Sequence, residues 1–194
     1  MNAPLVTRGA EGWDRRAFTV SEVSAMERAG ILHDEVGYEL WEGEIVPMSP
    51  KKNRHEIWKR KVDRWLQRGL PDTLAVAVEP SLYLSDLTFL EPDILIHDAR
   101  ILPEDVRGPD VLLAIEISDS SILRDLGPKA RLYARHGLRV YWVLDAEGRR
   151  AVVHTEPGPD GYGRIQDFGQ DFGAEAILTL PFEPALKIRL ADLG

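Results

Sequence analysis

The sequence predicts an α/β (α+β) fold in which a mixed central β-sheet is flanked by helices. Short runs of β-branched and aromatic residues alternate with segments of helical period along the 194-residue chain. Two of the apolar runs, residues 92–96 and 112–118, each contain one carboxylate. A charge inside such a run is tolerated only where it is paired, binds a metal or lies at the open end of a strand. We therefore expect Asp93 and Glu116 to lie close together on neighbouring strands.

The predicted elements begin with a helix and a hairpin. Thr19 and Glu22 have the spacing of a capping box, which predicts a helix through Ala29. Alternating residues from 37 to 46 predict a hairpin that turns at Gly43, where a positive φ is expected.

A second helix is predicted from Arg54 to about Arg68, because apolar residues recur there at helical spacing. The predicted core stripe of this helix comprises Ile57, Lys61, Val62, Trp65 and Leu66. A third helix is predicted to begin near Pro128 and to end at His136, since proline suits a first helical turn. The remaining predicted strands span residues 74–78, 82–84, 92–97, 111–118, 138–144, 151–154, 162–168 and 177–180.

The length fits one compact domain, predicted to span residues 18–194 behind a loose arm of residues 1–17. The absence of cysteine excludes a thiolate nucleophile, a Cys-ligated zinc and a disulfide framework. No run has the length or apolarity of a membrane span or a signal peptide, so we expect a cytoplasmic protein with no membrane association. The sequence leaves open whether the chain forms a homo-oligomer.

The formal charge of −8 argues against a protein that coats nucleic acid non-specifically. It does not exclude a nuclease whose acidic site binds divalent cations and whose basic residues are grouped elsewhere. The densest basic stretch lies in and just before the second predicted helix. Candidate nucleic-acid contacts there are Lys52, Arg54, His55, Lys59, Arg60 and Arg64.

Lys129 occupies an unexpected position. Lys129, Leu132, Tyr133 and His136 form one stripe of the third predicted helix, and the apolar members of that stripe must face the sheet. A lysine on a buried stripe needs a counter-charge, and Glu116 is the nearest candidate. The alternative is a lysine that covers apolar surface with its stem and keeps its ammonium group in water.

Asp93, Glu116 and the carbonyl of Ile117 would form part of a coordination shell for Mg²⁺ or Mn²⁺. These ions prefer oxygen ligands and commonly take one or two carboxylates together with water and substrate phosphate. The alternative is that both carboxylates lie at strand ends, where they cap loops or pair with arginine.

Together these residues resemble the Uma-two family of restriction-type endonucleases, within the PD-(D/E)XK nuclease superfamily. The resemblance covers residues 38–145 and is carried in order by Tyr38-Glu39-Leu40, Gly43-Glu44-Ile45-Val46, Met48-Ser49-Pro50, His55, Pro92-Asp93, Glu116-Ile117-Ser118, Asp125, Lys129 with Tyr133, and Gly137 with Tyr141-Trp142-Val143. It implies a mixed sheet with helices on both sides and a Mg²⁺-dependent site for phosphodiester hydrolysis. Asp93 matches the motif aspartate, and Glu116 matches the motif (D/E) position.

One position departs from the superfamily pattern, and two others have open roles. The usual motif lysine stands two residues after the acidic residue, where this chain has Ser118, and Lys129 matches a lysine that the family places on the following helix. Glu39 is a candidate third carboxylate of the site or a solvated hairpin residue. His55 is a candidate phosphate contact, a neighbour of the metal ligands or a helix-terminal polar residue.

The sequence therefore predicts a Mg²⁺- or Mn²⁺-dependent endonuclease that acts on DNA, with Asp93, Glu116, Lys129 and Glu39 as the candidate catalytic residues. One alternative is a protein of a mobile-element or defence system that keeps a nuclease fold but only binds or scaffolds a partner. Another is a hydrolase of sugars or small molecules that uses Asp93 and Glu116 as acid and base, which leaves Lys129 without a task.

Overall fold

A computed structural model describes residues 5–9, 11–32, 37–148, 150–168 and 177–193. The chain divides into two compact units, and neither is one continuous segment. The first unit comprises Met1–Pro50 with Ser81–Glu91, and the second comprises Lys51–Pro80 with Pro92–Gly194. The predicted boundary between an arm of residues 1–17 and a single domain of residues 18–194 stays a prediction. No helix in the described ranges is long and apolar enough to cross a membrane.

The strands are numbered in chain order. They are β1 Val6–Arg8, β2 Asp14–Arg16, β3 Tyr38–Trp41, β4 Glu44–Pro47, β5 Leu74–Val78, β6 Leu82–Ser85, β7 Thr88–Leu90, β8 Ile94–Asp98, β9 Val111–Ser118, β10 Val140–Asp145, β11 Arg150–Gly158, β12 Gly161–Asp167, β13 Ile177–Thr179 and β14 Lys187–Arg189. Short 3₁₀ turns lie at Pro103–Asp105, Gly108–Asp110 and Leu190–Leu193.

The first unit contains helix α1, Val20–Arg28, and the four-stranded sheet β4-β3-β7-β6. The predicted capping box is present: Glu22 N donates to Thr19 Oγ1 at 3.2 Å, and Thr19 N donates to Glu22 Oε2 at 2.9 Å. The predicted hairpin is confirmed as β3 and β4, which turn through Gly43 at φ +90. A Cβ at Gly43 would lie 2.4 Å from the Cβ of Ala17, so this close approach requires glycine. In the same unit, β1 pairs with β2 in antiparallel fashion.

The second unit is built on the six-stranded sheet β12-β11-β10-β9-β8-β5. Strands β9 and β10 run parallel, and the other neighbouring pairs run antiparallel. The predicted mixed central sheet is therefore confirmed. Its central strands are buried on both faces, which explains why their sequences are nearly continuous apolar runs.

Helix α2, Asn53–Gly69, covers one face of this sheet. Trp58, Val62 and Leu66 pack in one cluster with residues of β8, β9 and β10. The helix was predicted correctly, but part of its core stripe was assigned wrongly. Ile57, at 43%, and Lys61 are exposed, whereas Lys59, which was predicted as a nucleic-acid contact, is buried. Positions three and four apart around Trp58 and Val62 define the buried face, and this face also includes Lys59.

The helical segment that carries Lys129 begins before the predicted start at Pro128. It comprises the turn α3, Ile122–Arg124, the π-helical stretch Asp125–Lys129, and helix α4, Ala130–Arg135. Pro128 lies inside the segment rather than in its first turn. Proline cannot donate to the helical ladder, and the wider π-helical turns accommodate it there.

Candidate active site

Asp93 and Glu116 are neighbours in the register of the two central strands. Ile94, the first residue of β8, lies opposite Ile115 on β9, so the next pair in register is Asp93 and Glu116. Both side chains are buried, at 4% and 6% exposure. The prediction that Asp93 and Glu116 lie close together on neighbouring strands is confirmed by this register.

The carboxylate of Asp93 is held by three groups. The amide of Ile117 donates to Oδ2 at 2.7 Å, and His55 Nε2 lies 3.0 Å from the same oxygen. The ammonium group of Lys51 lies 3.8 Å from Oδ1. Burial would penalise an isolated carboxylate, and these donors compensate that penalty.

Glu116 pairs with the lysine on the following helical segment. Lys129 Nζ lies 2.7 Å from Glu116 Oε1, and the lysine side chain is only 5% exposed. The hydroxyl of Tyr133 donates to the same oxygen at 3.0 Å. The predicted pairing of Lys129 with Glu116 is confirmed, and the alternative of a solvated ammonium group is wrong. The catalytic role of the pair stays a prediction.

His55 lies at the start of α2 with its ring turned inward. Its two ring nitrogens face the carboxylates of Asp93 and Glu56, at 3.0 and 3.2 Å. Burial alone would lower the pKa of His55, but the bonds and charges of Asp93 and Glu56 outweigh it and raise the pKa above its ordinary value. Two carboxylates, one at each nitrogen, favour the doubly protonated ring. Among the open alternatives for His55, this geometry favours a neighbour of the candidate metal ligands over a surface contact.

A set of ion pairs adjoins Asp93, and we call Lys51, Glu56, Lys59 and Glu79 the Glu79 cluster. Lys51 and Lys59 both donate to Glu79 Oε1, and Lys59 also donates to Glu56 Oε1 at 2.8 Å. Burial would raise the pKa of Glu79, but the two lysines hold it below its ordinary value. The amide of Glu79 donates to the carbonyl oxygen of Asp93 at 3.0 Å, which joins the cluster to the site.

The backbone of Glu79 is strained. Its φ is +52, a conformation that costs a residue with a side chain about 1–3 kcal/mol. Such residues persist where their surroundings fix them, and the bonds to Lys51, Lys59 and Asp93 do so here. Sequence reasoning missed Glu79, since a carboxylate before a proline is also common in ordinary turns.

Ser118 occupies the position of the usual motif lysine and is fully buried. Its hydroxyl donates to Asp125 Oδ2, and Ser121 Oγ donates to the same oxygen at 2.6 Å. The carbonyl of Asp125 accepts from the hydroxyl of Tyr141 at 3.2 Å. Asp125 therefore holds the connection between β9 and the helical segment that carries Lys129.

The candidate nucleic-acid residues divide by exposure. Lys52 is 59% exposed and pairs with Asp119 at 2.9 Å, just beyond the end of β9. Arg54, Arg60 and Arg64 are exposed on α2. His55 and Lys59 are buried, so these two candidates are not part of the exposed surface that the other four share.

Glu39 lies on β3 of the first unit and is 2% exposed. Its two oxygens accept from the amide of Glu91 and the indole of Trp41, both at 2.9 Å. The alternative of a solvated hairpin residue is therefore wrong. The predicted role of Glu39 as a third carboxylate of the site stays a prediction.

The donor set around Asp93 fits Mg²⁺ or Mn²⁺. Within the described part of the chain, no group of three or more His, Cys, Asp and Glu could hold a metal ion. Mg²⁺ needs only one or two carboxylates, because water and substrate supply its other ligands. Since the amide of Ile117 points towards Asp93, the carbonyl of the same extended residue faces that side as well. All the candidate ligands are oxygens, as hard divalent cations require.

Comparisons with known proteins address the family and the fold of the chain. A family model described as "Uma2: Putative restriction endonuclease" matches residues 20–191. A crystal structure of "a putative nuclease belonging to DUF820" from Anabaena variabilis ATCC 29413 is similar, with a TM-score of 0.68 and 18% identity. The match covers 86% of this chain and 94% of that one. At this identity the likeness shows the fold alone. No curated protein matches the sequence.

Proposed function

Since the chain belongs to the Uma2 family, we propose that it is an endonuclease that hydrolyses phosphodiester bonds in DNA with the help of Mg²⁺ or Mn²⁺. One observation carries the proposal. The buried pair of Lys129 and Glu116 lies next in register to Asp93, so two carboxylates and an ammonium group occupy one end of the central strands. A buried lysine–carboxylate pair is costly to desolvate, and such groups are concentrated at functional sites.

In this proposal Asp93, Glu116 and the carbonyl of Ile117 hold the cation. When bound, the cation would lower the pKa of a water molecule and stabilise negative charge on the phosphate. The neighbouring groups keep these ligands in place. Ile117 N and His55 orient the carboxylate of Asp93, and Tyr133 and Lys129 orient that of Glu116.

Lys129 has a second role in the proposed reaction. Its ammonium group donates to the attacking water or to a phosphate oxygen, where negative charge grows in the transition state. The water oxygen forms the new bond to phosphorus and releases a proton to solvent, the bond to the leaving ester oxygen breaks, and that oxygen takes up a proton from solvent. Lys129 replaces the motif lysine, whose position is occupied by Ser118.

DNA is proposed to approach over the stretch from Lys51 to Arg68, along the exposed basic residues in and just before α2. The formal charge of −8 opposes DNA binding as a whole, so a local basic surface is needed. Lys52, Arg54, Arg60 and Arg64 supply it. Lys59 is not part of this surface, because its side chain is buried within the Glu79 cluster.

A cleavage assay tests the proposed function. Plasmid and short duplex DNA are incubated with the wild-type protein in Mg²⁺, Mn²⁺ or EDTA. We expect cleavage with either metal and none in EDTA. Cleavage that survives EDTA contradicts the mechanism, and DNA binding without cleavage in any metal favours the non-catalytic scaffold.

A further inference from the structure

We propose that Lys51 is a substrate-phosphate ligand, held on Glu79 and Asp93 until DNA and metal bind. This inference rests on the proposed function and extends it to a residue outside the motif positions. The ammonium group of Lys51 pairs with Glu79 Oε1 and lies 3.8 Å from Asp93 Oδ1. It is thus, together with His55, a cation beside the carboxylate that is proposed to hold the metal.

Of the two lysines in the Glu79 cluster, Lys51 is the one that can move away from Glu79. Its side chain is 28% exposed, whereas that of Lys59 is 9% exposed and contacts both Glu56 and Glu79. When Lys51 moves away, Lys59 continues to pair with Glu79. The move therefore leaves no buried carboxylate without a counter-charge, which is the usual cost of breaking such a pair.

Metal binding supplies the force for this move. A divalent cation on Asp93 and the ammonium group of Lys51 compete for one carboxylate and repel each other. A phosphate beside the cation offers Lys51 a new partner of the opposite charge. Lys51 also lies in the loop immediately before α2, next to the exposed Lys52, so it borders the proposed DNA surface.

Two measurements on the full chain test the inference without depending on turnover. The first is the affinity for duplex DNA in Ca²⁺, an oxygen-binding divalent cation used here in place of Mg²⁺ so that binding is measured without cleavage, across a range of salt concentrations. Each lost phosphate contact lowers the slope of log K against log[salt] by about 0.9. We expect Lys51→Gln to lower the slope by about one and Lys51→Arg to restore it. Lys187→Gln is the matched control, because it removes one exposed lysine of the same unit from β14.

The second measurement is calorimetric titration with Mn²⁺ alone. Lys51→Gln removes a positive charge that lies close to Asp93 and repels the cation. It should therefore tighten Mn²⁺ binding by about three- to tenfold, whereas Lys187→Gln should not change it. A lysine that only neutralises Asp93 and Glu79 would also tighten Mn²⁺ binding when removed, but it would leave the salt slope of DNA binding unchanged. The loss of slope in Lys51→Gln and its recovery in Lys51→Arg therefore identify the phosphate contact.

The outcomes separate the inference from the proposed function. If the wild type cleaves DNA and Lys51→Gln matches it in salt slope and Mn²⁺ affinity, the inference is wrong and the proposed function stands. If the wild type neither binds Mn²⁺ nor cleaves DNA, both the proposed function and the inference are wrong, because no bound cation then displaces Lys51 from Asp93. If the wild type binds Mn²⁺ and Lys51→Gln lowers the salt slope by about one, the inference is supported.

Discussion

The amide of Ile117 donates a 2.7 Å hydrogen bond to the carboxylate of Asp93, one residue beyond Glu116 on the adjoining strand. This bond ties the side chain that precedes β8 to the backbone of β9. It needs an acceptor oxygen but no negative charge, so an amide side chain at position 93 can keep it. Asparagine at position 93 can therefore remove the negative charge and keep this hydrogen bond.

Asp93→Asn should weaken Mn²⁺ binding by about tenfold or more, because it removes a charged ligand and keeps the shape of the site. Calorimetric titration measures this effect. Asp98→Asn is a suitable control, since Asp98 ends the same strand and pairs with Arg100. Equal Mn²⁺ affinity in wild type and Asp93→Asn would contradict the assignment of Asp93 as a ligand.

Lys129→Ala should lower kcat by about 10²–10³ without weakening Mn²⁺ binding, since a group that acts mainly in the transition state affects turnover and removal of a positive charge beside Glu116 does not disfavour a cation. Single-turnover cleavage measures the rate. The substitution leaves Glu116 without its buried counter-charge, so circular dichroism must first show that the variant is folded. Lys187→Ala is the control for loss of one positive charge, and undiminished cleavage by Lys129→Ala would rule out the mechanism.

Combined replacement of Arg54, Arg60 and Arg64 by alanine should weaken DNA binding and lower its salt slope by about two to three. Fluorescence anisotropy at several salt concentrations measures both quantities. The control replaces three other exposed basic residues of the same unit, Arg100, Arg139 and Lys187. If both triple variants lower the salt slope equally, DNA does not bind along the exposed basic residues of α2.

His154 should make the protein less stable as the pH falls below its ordinary pKa. The ring is 2% exposed and packs against Tyr141 and Tyr162, and burial lowers its pKa below the ordinary 6.5. Below pH 6.5 the unfolded chain binds a proton that the folded chain does not, so this contribution to the free energy of unfolding falls with falling pH. Above that value the contribution is constant.

Urea unfolding of wild type and His154→Phe at several pH values tests this contribution. We expect the free energy of unfolding of the wild type minus that of the variant to increase as the pH is raised towards 6.5, by up to about 1.4 kcal/mol per pH unit. Above pH 6.5 this difference should be constant. A difference that does not vary with pH would show that His154 stays protonated or becomes solvated in the folded protein.

Gly108→Ala should destabilise the protein by about 2–3 kcal/mol or more. A Cβ at this position would lie 1.9 Å from the carbonyl oxygen of His136, and a backbone atom cannot move aside cheaply. Gly127→Ala is the control, because a Cβ there meets nothing within 4 Å and alanine favours helical backbone. Chemical denaturation of the two variants should give opposite or clearly unequal changes.

Sequence patterns predicted the central strands well, because a buried strand is a short continuous run of apolar residues and a carboxylate within such a run is easily recognised. The pairing of Lys129 with Glu116 followed from helical spacing and the need for a counter-charge. The start of that helical segment did not follow, since Pro128 has a strong local preference for a first turn, which the π-helical turn overrides.

The contacts that surround Asp93 were not accessible to the same reasoning. Glu79 has a positive φ, and Lys59 is buried because Glu56 on the same helix and Glu79 beyond β5 compensate its charge. The pair of Lys59 and Glu56 is local, but the pair of Lys59 and Glu79 joins residues twenty apart in the chain. A single sequence gives no local sign of that second pair, and Lys59 was therefore predicted as a nucleic-acid contact.

The discontinuous division of the chain limits how this protein can be dissected. Half of the four-stranded sheet in the first unit, β6 and β7, comes from the excursion Ser81–Glu91, which departs from the second unit and returns to it. A fragment that ends at Pro50 would leave β3 without its β7 neighbour and Glu39 without the amide of Glu91. Neither unit can therefore be inserted, deleted or transplanted as one continuous segment of the chain. A permuted gene or a designed chimera has to carry both segments together.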